Sequence, residues 1–239
     1  MKFAIIAAGE GSRLAQEGIS LPKPLVRLQG EPMIDRLIRI FHQCGAEEVC
    51  IIVNQLRPET EAHVRQLMQE GTAGVPLRLV VKSTPSSMHS FHELSPLLAG
   101  DDFCLTTVDT IFREEEFRQY IREFQQTDCD GMMAVTDYID DEKPLYVGVD
   151  TSMHITGFYD QRQPDSRYIS GGIYCLRPVA LQTLERCISE GQSRMRNFQR
   201  ALVQDGLHLL ARPLSKILDV DHAEDIQKAE AFLSGVQSL

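Results

Sequence analysis

The sequence predicts an α/β fold, a doubly wound, Rossmann-like mixed sheet with helices on both faces. Three observations predict it. Apolar strand-like runs alternate with amphipathic helical patterns over the first half of the chain. The first run, KFAIIAA at 2–8, is apolar nearly throughout, as a strand covered on both faces must be. Beyond residue 126 consecutive strand patterns replace the alternation, so an antiparallel portion joins the parallel one.

The elements follow in order. After the strand at 2–8, Pro32 opens a helix at its first position, with Met33, Ile34, Leu37, Ile38 and Phe41 on one stripe. EVCIIV at 48–53 is a second strand, and Pro58 heads a helix over 58–70. LRLVVK at 77–82 is a third strand, followed by a helix over 87–98. DFCLTTV at 102–108 is a fourth, and a charged amphipathic helix covers 113–126. Strand patterns then occupy 131–137, 145–150, 154–160 and 169–176. Helices over 178–190 and 194–205, short strands at 207–211 and 216–220, and a helix over 222–234 complete the pattern. No linker composition interrupts it, so residues 1–239 read as one domain. The extra helices at 178–205 leave room for a homo-oligomer interface.

Composition narrows the partners. Of 239 residues, 43% are hydrophobic, enough for a sizeable core, and the net charge is −10. So acidic a surface repels nucleic-acid phosphates, and a nucleic-acid partner is not expected. A small anionic ligand remains compatible wherever cations gather locally. No apolar run approaches the ~18 residues a membrane span needs, and no membrane partner is expected. Met1-Lys2-Phe3-Ala4 runs straight into the first strand with no cleavable signal. Cys44, Cys50, Cys104, Cys129, Cys175 and Cys187 form no CxxC pair, which points to buried free thiols in a reducing cytoplasm.

The chemistry concentrates after the first strand, in AAGEGSRL at 7–14. Glycines let backbone amides approach a ligand that a Cβ would push away, so Ala8, Gly9, Gly11 and Ser12 form a cradle for phosphate oxygens. Arg13 adds a forked donor. The Walker pattern is absent, and the dinucleotide fingerprint lacks its third glycine. Instead the chain runs on irregularly to Pro22-Lys23-Pro24-Leu25, where flanking prolines fix the backbone that presents Lys23. A phosphate held by the loop amides, Arg13 and Lys23 accounts for the whole stretch.

AAGEGSRL, PKPLVRL and GEPMI together resemble the signature of nucleotidyltransferases that join a nucleoside triphosphate to a sugar phosphate or similar acceptor. Gly9, Gly11, Arg13, Lys23, Pro24 and Gly30 fall on its positions, and later landmarks arrive in order along nearly the whole chain. The resemblance implies a nucleotide-diphospho-sugar transferase-like fold. It implies a nucleotide-binding half over 1–126, an acceptor-binding half over 127–215, and a metal strand with a terminal helix over 216–239. Arg13 and Lys23 are the expected catalytic groups, and the loop with Ser87 holds the nucleotide.

Nucleotidyl transfer uses a hard cation on the α-phosphate, and the resemblance implies Mg²⁺. Asp109 follows the fourth strand at its carboxyl end, where open α/β sheets bind ligands. Val108 stands before it where the family has glycine. In ILDVDHAEDI at 217–226, Asp219 and Asp221 share a strand face and resemble the family's second metal segment. Asp221 is also placed to cap the helix near His222, Lys216 to face the phosphates, and Glu224 and Asp225 to complement the helix dipole.

STPSSMHSFHEL at 83–94 stands where the family has a GTA-like turn beside the nucleoside, with Ser86, Ser87 and Ser90 able to supply contacts. His89 and His92 read as surface or partly buried residues rather than a metal pair. YVGVD at 146–150 and YISGGIYCL at 168–176 resemble acceptor-side elements, with Gly148, Gly171 and Gly172 letting a small acceptor lie against backbone. Asp160 stands near the family's sugar-binding glutamate. The expected reaction moves a nucleotidyl group from a nucleoside triphosphate to a sugar 1-phosphate, releasing pyrophosphate. A cytidylyltransferase for phosphocholine or a phosphonate, and a non-catalytic nucleotide-binding regulatory domain, are the alternatives; a Rossmann dehydrogenase is undercut by the missing glycine.

Overall fold

The computed structural model describes residues 1–140, 143–164 and 166–235. The end of the expected 216–239 segment, beyond 235, therefore lies outside the described residues. The first half runs β1 (Lys2–Ala7), α1 (Ser12–Gln16), β2 (Arg27–Leu28), β3 (Glu31–Pro32), α2 (Met33–Gln43) and β4 (Val49–Val53). It continues through α3 (Pro58–Glu70), β5 (Leu77–Val81), α4 (Ser87–Leu98), β6 (Phe103–Thr107), β7 (Thr110–Ile111) and α5 (Glu114–Gln125). The second half holds β8 (Gly131–Thr136), β9 (Tyr146–Val149), β10 (Ile155–Tyr159), β11 (Tyr168–Leu176), α6 (Ala180–Ser189) and α7 (Met195–Gln204). β12 (Leu209–Pro213), β13 (Leu218–Asp219) and α8 (Ala223–Leu233) follow.

One nine-stranded sheet runs through both halves in the order β10-β9-β11-β6-β1-β4-β5, with β8 on β11 and β12 on β8. β6, β1, β4 and β5 are parallel, and β11 is antiparallel to β6, β8 and β9. Side-chain alternation explains the continuous apolar runs. In β1 and β4, Phe3, Ile5, Val49 and Ile51 enter one core, while Ala4, Ile6, Cys50 and Ile52 enter the other. α2, α5 and α8 cover the first face through Phe41, Phe117 and Phe232; α4, α6 and α7 cover the second through Phe91, Leu184 and Phe198.

Several expectations shift. Pro32 does not sit at the first helical position; it pairs with Arg27 in the β2–β3 hairpin, and α2 starts at Met33. The expected strand at 216–220 shortens to β13, which pairs only with β7. The stretch after Gly11 is irregular only beyond residue 16: Gly11 adopts a left-handed φ of 63° that turns the chain into α1, and buried Leu14 anchors it. All six cysteines are free, five of them buried. Burial pushes the Cys44 thiol up to about 11 and Cys50 to about 12. Among the described residues no helix is long and apolar enough to cross a membrane.

Candidate active site

The carboxyl ends of β1, β4, β5 and β6 point to one rim of the sheet, and the loops leaving β1, β5 and β6 line a cavity of about 370 Å³. Ala8, Gly9, Gly11, Ser12 and Arg13 form one wall, Thr84 to Ser87 another, and Lys23 and Asp109 a third. A Cβ added to Gly11 would stand 3.2 Å from the Lys23 Cβ, so the glycine loop and the lysine turn touch where Gly11 lacks a side chain.

Charge is organised around Lys23. Its Nζ donates to Asp109 Oδ2 and, at 2.7 Å, to Asp221 Oδ1. Arg13 Nη1 donates to the other Asp221 oxygen at 3.1 Å. The Lys23 side chain is only 12% exposed. Burial opposes its charge, but Asp109 and Asp221 outweigh burial and hold its pKa above the ordinary lysine value. Lys23 is therefore a permanent cation at the cavity wall. Asp109 Oδ1 is buried and makes no hydrogen bond to any described residue.

A second cavity of about 380 Å³ adjoins the first, and Arg13 and Asp221 belong to the walls of both. Thr136, Tyr138, Ser170, Gly171, Arg196 and Asp219 are among its other walls. Asp219 thus faces a different space from Asp109, and the three expected metal aspartates are not gathered together. Among the described residues no group of three or more potential metal ligands stands together. Asp109 and Asp221, which share Lys23, still suit Mg²⁺, which takes one or two carboxylates and completes its shell with phosphate and water.

The acceptor side differs most from expectation. Gly148, Asp160 and Gly172 line neither cavity. Gly148 lies where a Cβ would strike Thr156 Oγ1 and the Tyr159 ring, so its smallness serves strand packing. Asp160 pairs with Arg196 at 2.5 Å and Arg200 at 2.7 Å, which hold its carboxyl below the usual range and aim Arg196 at the second cavity. Gly172 takes a φ of 72° within the register shift of β11, while its neighbour Gly171 reaches the cavity.

Nearby charges resolve similarly. Lys216 does not line the first cavity; its ammonium stands 4.0 Å over the Tyr138 ring. His222, not Asp221, is the cap residue of α8, which leaves the Asp221 carboxylate for Lys23 and Arg13. Asp225 does more than complement the helix dipole: its Oδ2 accepts from the backbone N–H of Asp221 (3.1 Å) and of His222 (2.8 Å). Glu17, just past α1, grips His222 Nδ1 and the Ala223 N–H, each at 2.6 Å. His92 pairs with Glu185, and His89 with the Ser86 hydroxyl.

One functional residue escaped the sequence reading. Asn54, 4% exposed, follows β4 and ties three loops together. Its Nδ2 donates to Ala8 O at 3.0 Å; its Oδ1 accepts from Leu56 N–H at 2.9 Å and from Ser83 Oγ at 2.6 Å. Ala8 and Thr84 lie on opposite walls of the first cavity, and Asn54 bonds to Ala8 and to Ser83 beside Thr84, which ties the two walls together. A lone polar residue closing VCIIV was the available signal.

Comparisons place this geometry among known proteins. Residues 3–207 match the model of the MobA-like NTP transferase domain. Over 97% of its length the chain is 25% identical to the bifunctional IPC transferase and DIPP synthase of Rubrobacter xylanophilus, of which it spans 52%. A Bacillus anthracis crystal structure, described as a glucose-1-phosphate thymidylyltransferase in complex with sucrose, superposes with a TM-score of 0.85 at 20% identity. That match covers 100% of this chain and 97% of the other. The inositol-1-phosphate CTP transferase of T. maritima follows at 0.79 and 18%, covering 99% and 98%. These likenesses carry the fold.

Proposed function

The chain belongs to the MobA-like NTP transferase family, and from that premise we propose that it moves a nucleotidyl group from a nucleoside triphosphate to a sugar 1-phosphate. The observation that carries this reading is the pair of adjoining cavities sharing Arg13 and Asp221, one walled by a phosphate loop and one by polar groups. A triphosphate in the first and an acceptor in the second meet at the charged wall between them.

The reaction is an in-line displacement. An acceptor phosphate oxygen attacks the α-phosphorus, the bond to the bridging oxygen breaks, and pyrophosphate leaves with that oxygen. A phosphate nucleophile is already ionised, so the protein supplies position and charge rather than proton transfer. The amides from Gly9 to Arg13 hold the β- and γ-phosphates. Lys23 stabilises charge building at the α-phosphate, and Arg13 orients both substrates at their junction. Mg²⁺, held by Asp109 through its unpartnered oxygen and by Asp221, would supply further charge neutralisation there.

A second acceptor class has its own support. The Asp160 carboxylate is occupied by Arg196 and Arg200 and lines neither cavity, so it does not replace the glutamate that binds sugar hydroxyls in the family. A polyol phosphate, phosphocholine or a phosphonate taken with CTP fits that arrangement. The deciding experiment measures pyrophosphate release with Mg²⁺, crossing four nucleoside triphosphates with sugar 1-phosphates, inositol phosphate, phosphocholine and simple phosphonates. Release with one pair, abolished in Asp109→Asn, supports the transferase and names both substrates. Silence across the panel, in protein that binds a triphosphate, counts against it.

A further inference from the structure

We infer that Lys23 and Arg13 act as built-in counterions that keep the carboxylates from binding a divalent cation until a triphosphate arrives. The inference rests on the transferase reading above. Asp109 and Asp221 together offer four carboxylate oxygens. Lys23 Nζ engages Asp109 Oδ2 and Asp221 Oδ1, and Arg13 engages Asp221 Oδ2. Only Asp109 Oδ1 is without a partner among the described residues. A free divalent ion approaching this pair meets one open oxygen and two positive groups already in place.

A triphosphate changes that balance. Its oxygens compete for the ammonium and the guanidinium, and it brings ligands of its own to the cation. The exchange needs no backbone movement: Pro22 and Pro24 fix the main chain around Lys23, and its four-carbon stem carries the ammonium between partners. Arg13, with a side chain 55% exposed against 12% for Lys23, has more room to turn. Metal and nucleotide then enter together, and metal alone is held weakly.

The test uses Mn²⁺ as probe and follows free ion by electron paramagnetic resonance, with no nucleotide and no turnover. Wild type should bind Mn²⁺ weakly, and Lys23→Met at least about tenfold more tightly, since a full positive charge has left the carboxylates. Lys23→Gln, which keeps the length and polarity, should also gain, and it carries the comparison should Lys23→Met not fold. Adding Mn²⁺ should raise the melting temperature of either variant more than that of wild type. Inorganic triphosphate added to wild type should lower free Mn²⁺ beyond the loss that the same triphosphate causes without protein. Wild type binding Mn²⁺ alone as tightly as the variants overturns the inference and leaves the transferase reading standing. No Mn²⁺ binding by any form, even with inorganic triphosphate, overturns both.

Discussion

Replacing Asn54 by alanine tests whether the nucleotide cavity depends on a residue that never reaches the ligand. The substitution deletes hydrogen bonds to Ala8 O, Leu56 N–H and Ser83 Oγ at a position 4% exposed. Each is worth about 1 kcal/mol net, which sums to about 3 kcal/mol. Ala8 and Thr84 border the cavity, so water recovers part of that, and the expected loss is about 2 to 3 kcal/mol. Urea unfolding at constant m-value measures it. Kinetics separate positioning from mere stability. With the cradle displaced, KM for the triphosphate should rise about tenfold, and KM for the acceptor should stay put. Asn54→Asp keeps an acceptor for Leu56 and Ser83 but turns a carboxylate toward the Ala8 carbonyl, so it should recover part of the stability and none of the KM. A loss under about 0.5 kcal/mol with an unchanged KM would refute the reasoning.

Three more outcomes follow from named contacts. Lys23→Ala should lower turnover on the order of 100- to 1000-fold, as removal of one preorganised charge donor does, and a change of only a few-fold in steady-state kinetics would contradict its role. Gly11→Ala should cost about 1 to 2 kcal/mol in chemical denaturation, because a side chain at a φ of 63° is strained and the new Cβ crowds Lys23; an unchanged midpoint would contradict it. Glu114→Gln should cost about 2 kcal/mol near neutral pH by weakening its bonds to Arg39 and to the 7%-exposed Arg36. The Arg39 hydrogen bond leads the contacts that hold the Glu114 carboxyl below its usual 4.5, so its contribution is present above that value and lost as pH falls through the lower folded one. Wild type and variant should thus converge in acid, and a gap that persists unchanged would be the wrong result.

The sequence carried the sheet because long periods survive in it. β1 and β4 send alternate residues into two cores, and α2 and α5 put their aromatic residues on a single stripe. The turn after β1 was legible for a different reason: the left-handed φ at residue 11 favours glycine, so the turn is written locally. The two-residue strands β2, β3 and β7 were missed because two residues have no period, whereas the strand expected at 216–220 shrank to β13. On the acceptor side the sequence did not separate Gly171 from Gly148 and Gly172. Gly171 reaches the second cavity and Gly172 does not, and nothing in YISGGIYCL marks where the pairing with β8 shifts by two. Arg196 was unreadable because its aim depends on Asp160, 36 positions earlier.

Glu17 grips the start of α8 206 positions later, and Arg13 reaches Asp221 across 208. Segments more than 200 positions apart are thereby fastened over the same rim of the sheet. During synthesis the glycine loop and the Lys23 turn emerge together, whereas the Asp221 carboxylate of their wall emerges about two hundred residues later. A nascent chain can form the parallel strands β1, β4, β5 and β6 and bury much of their apolar surface with the rim still open. Closing the rim is a long-range event whose loop entropy is met by the sheet already formed beneath it. The wall of the pocket is therefore whole only once α8 and the residues before it have docked on that sheet.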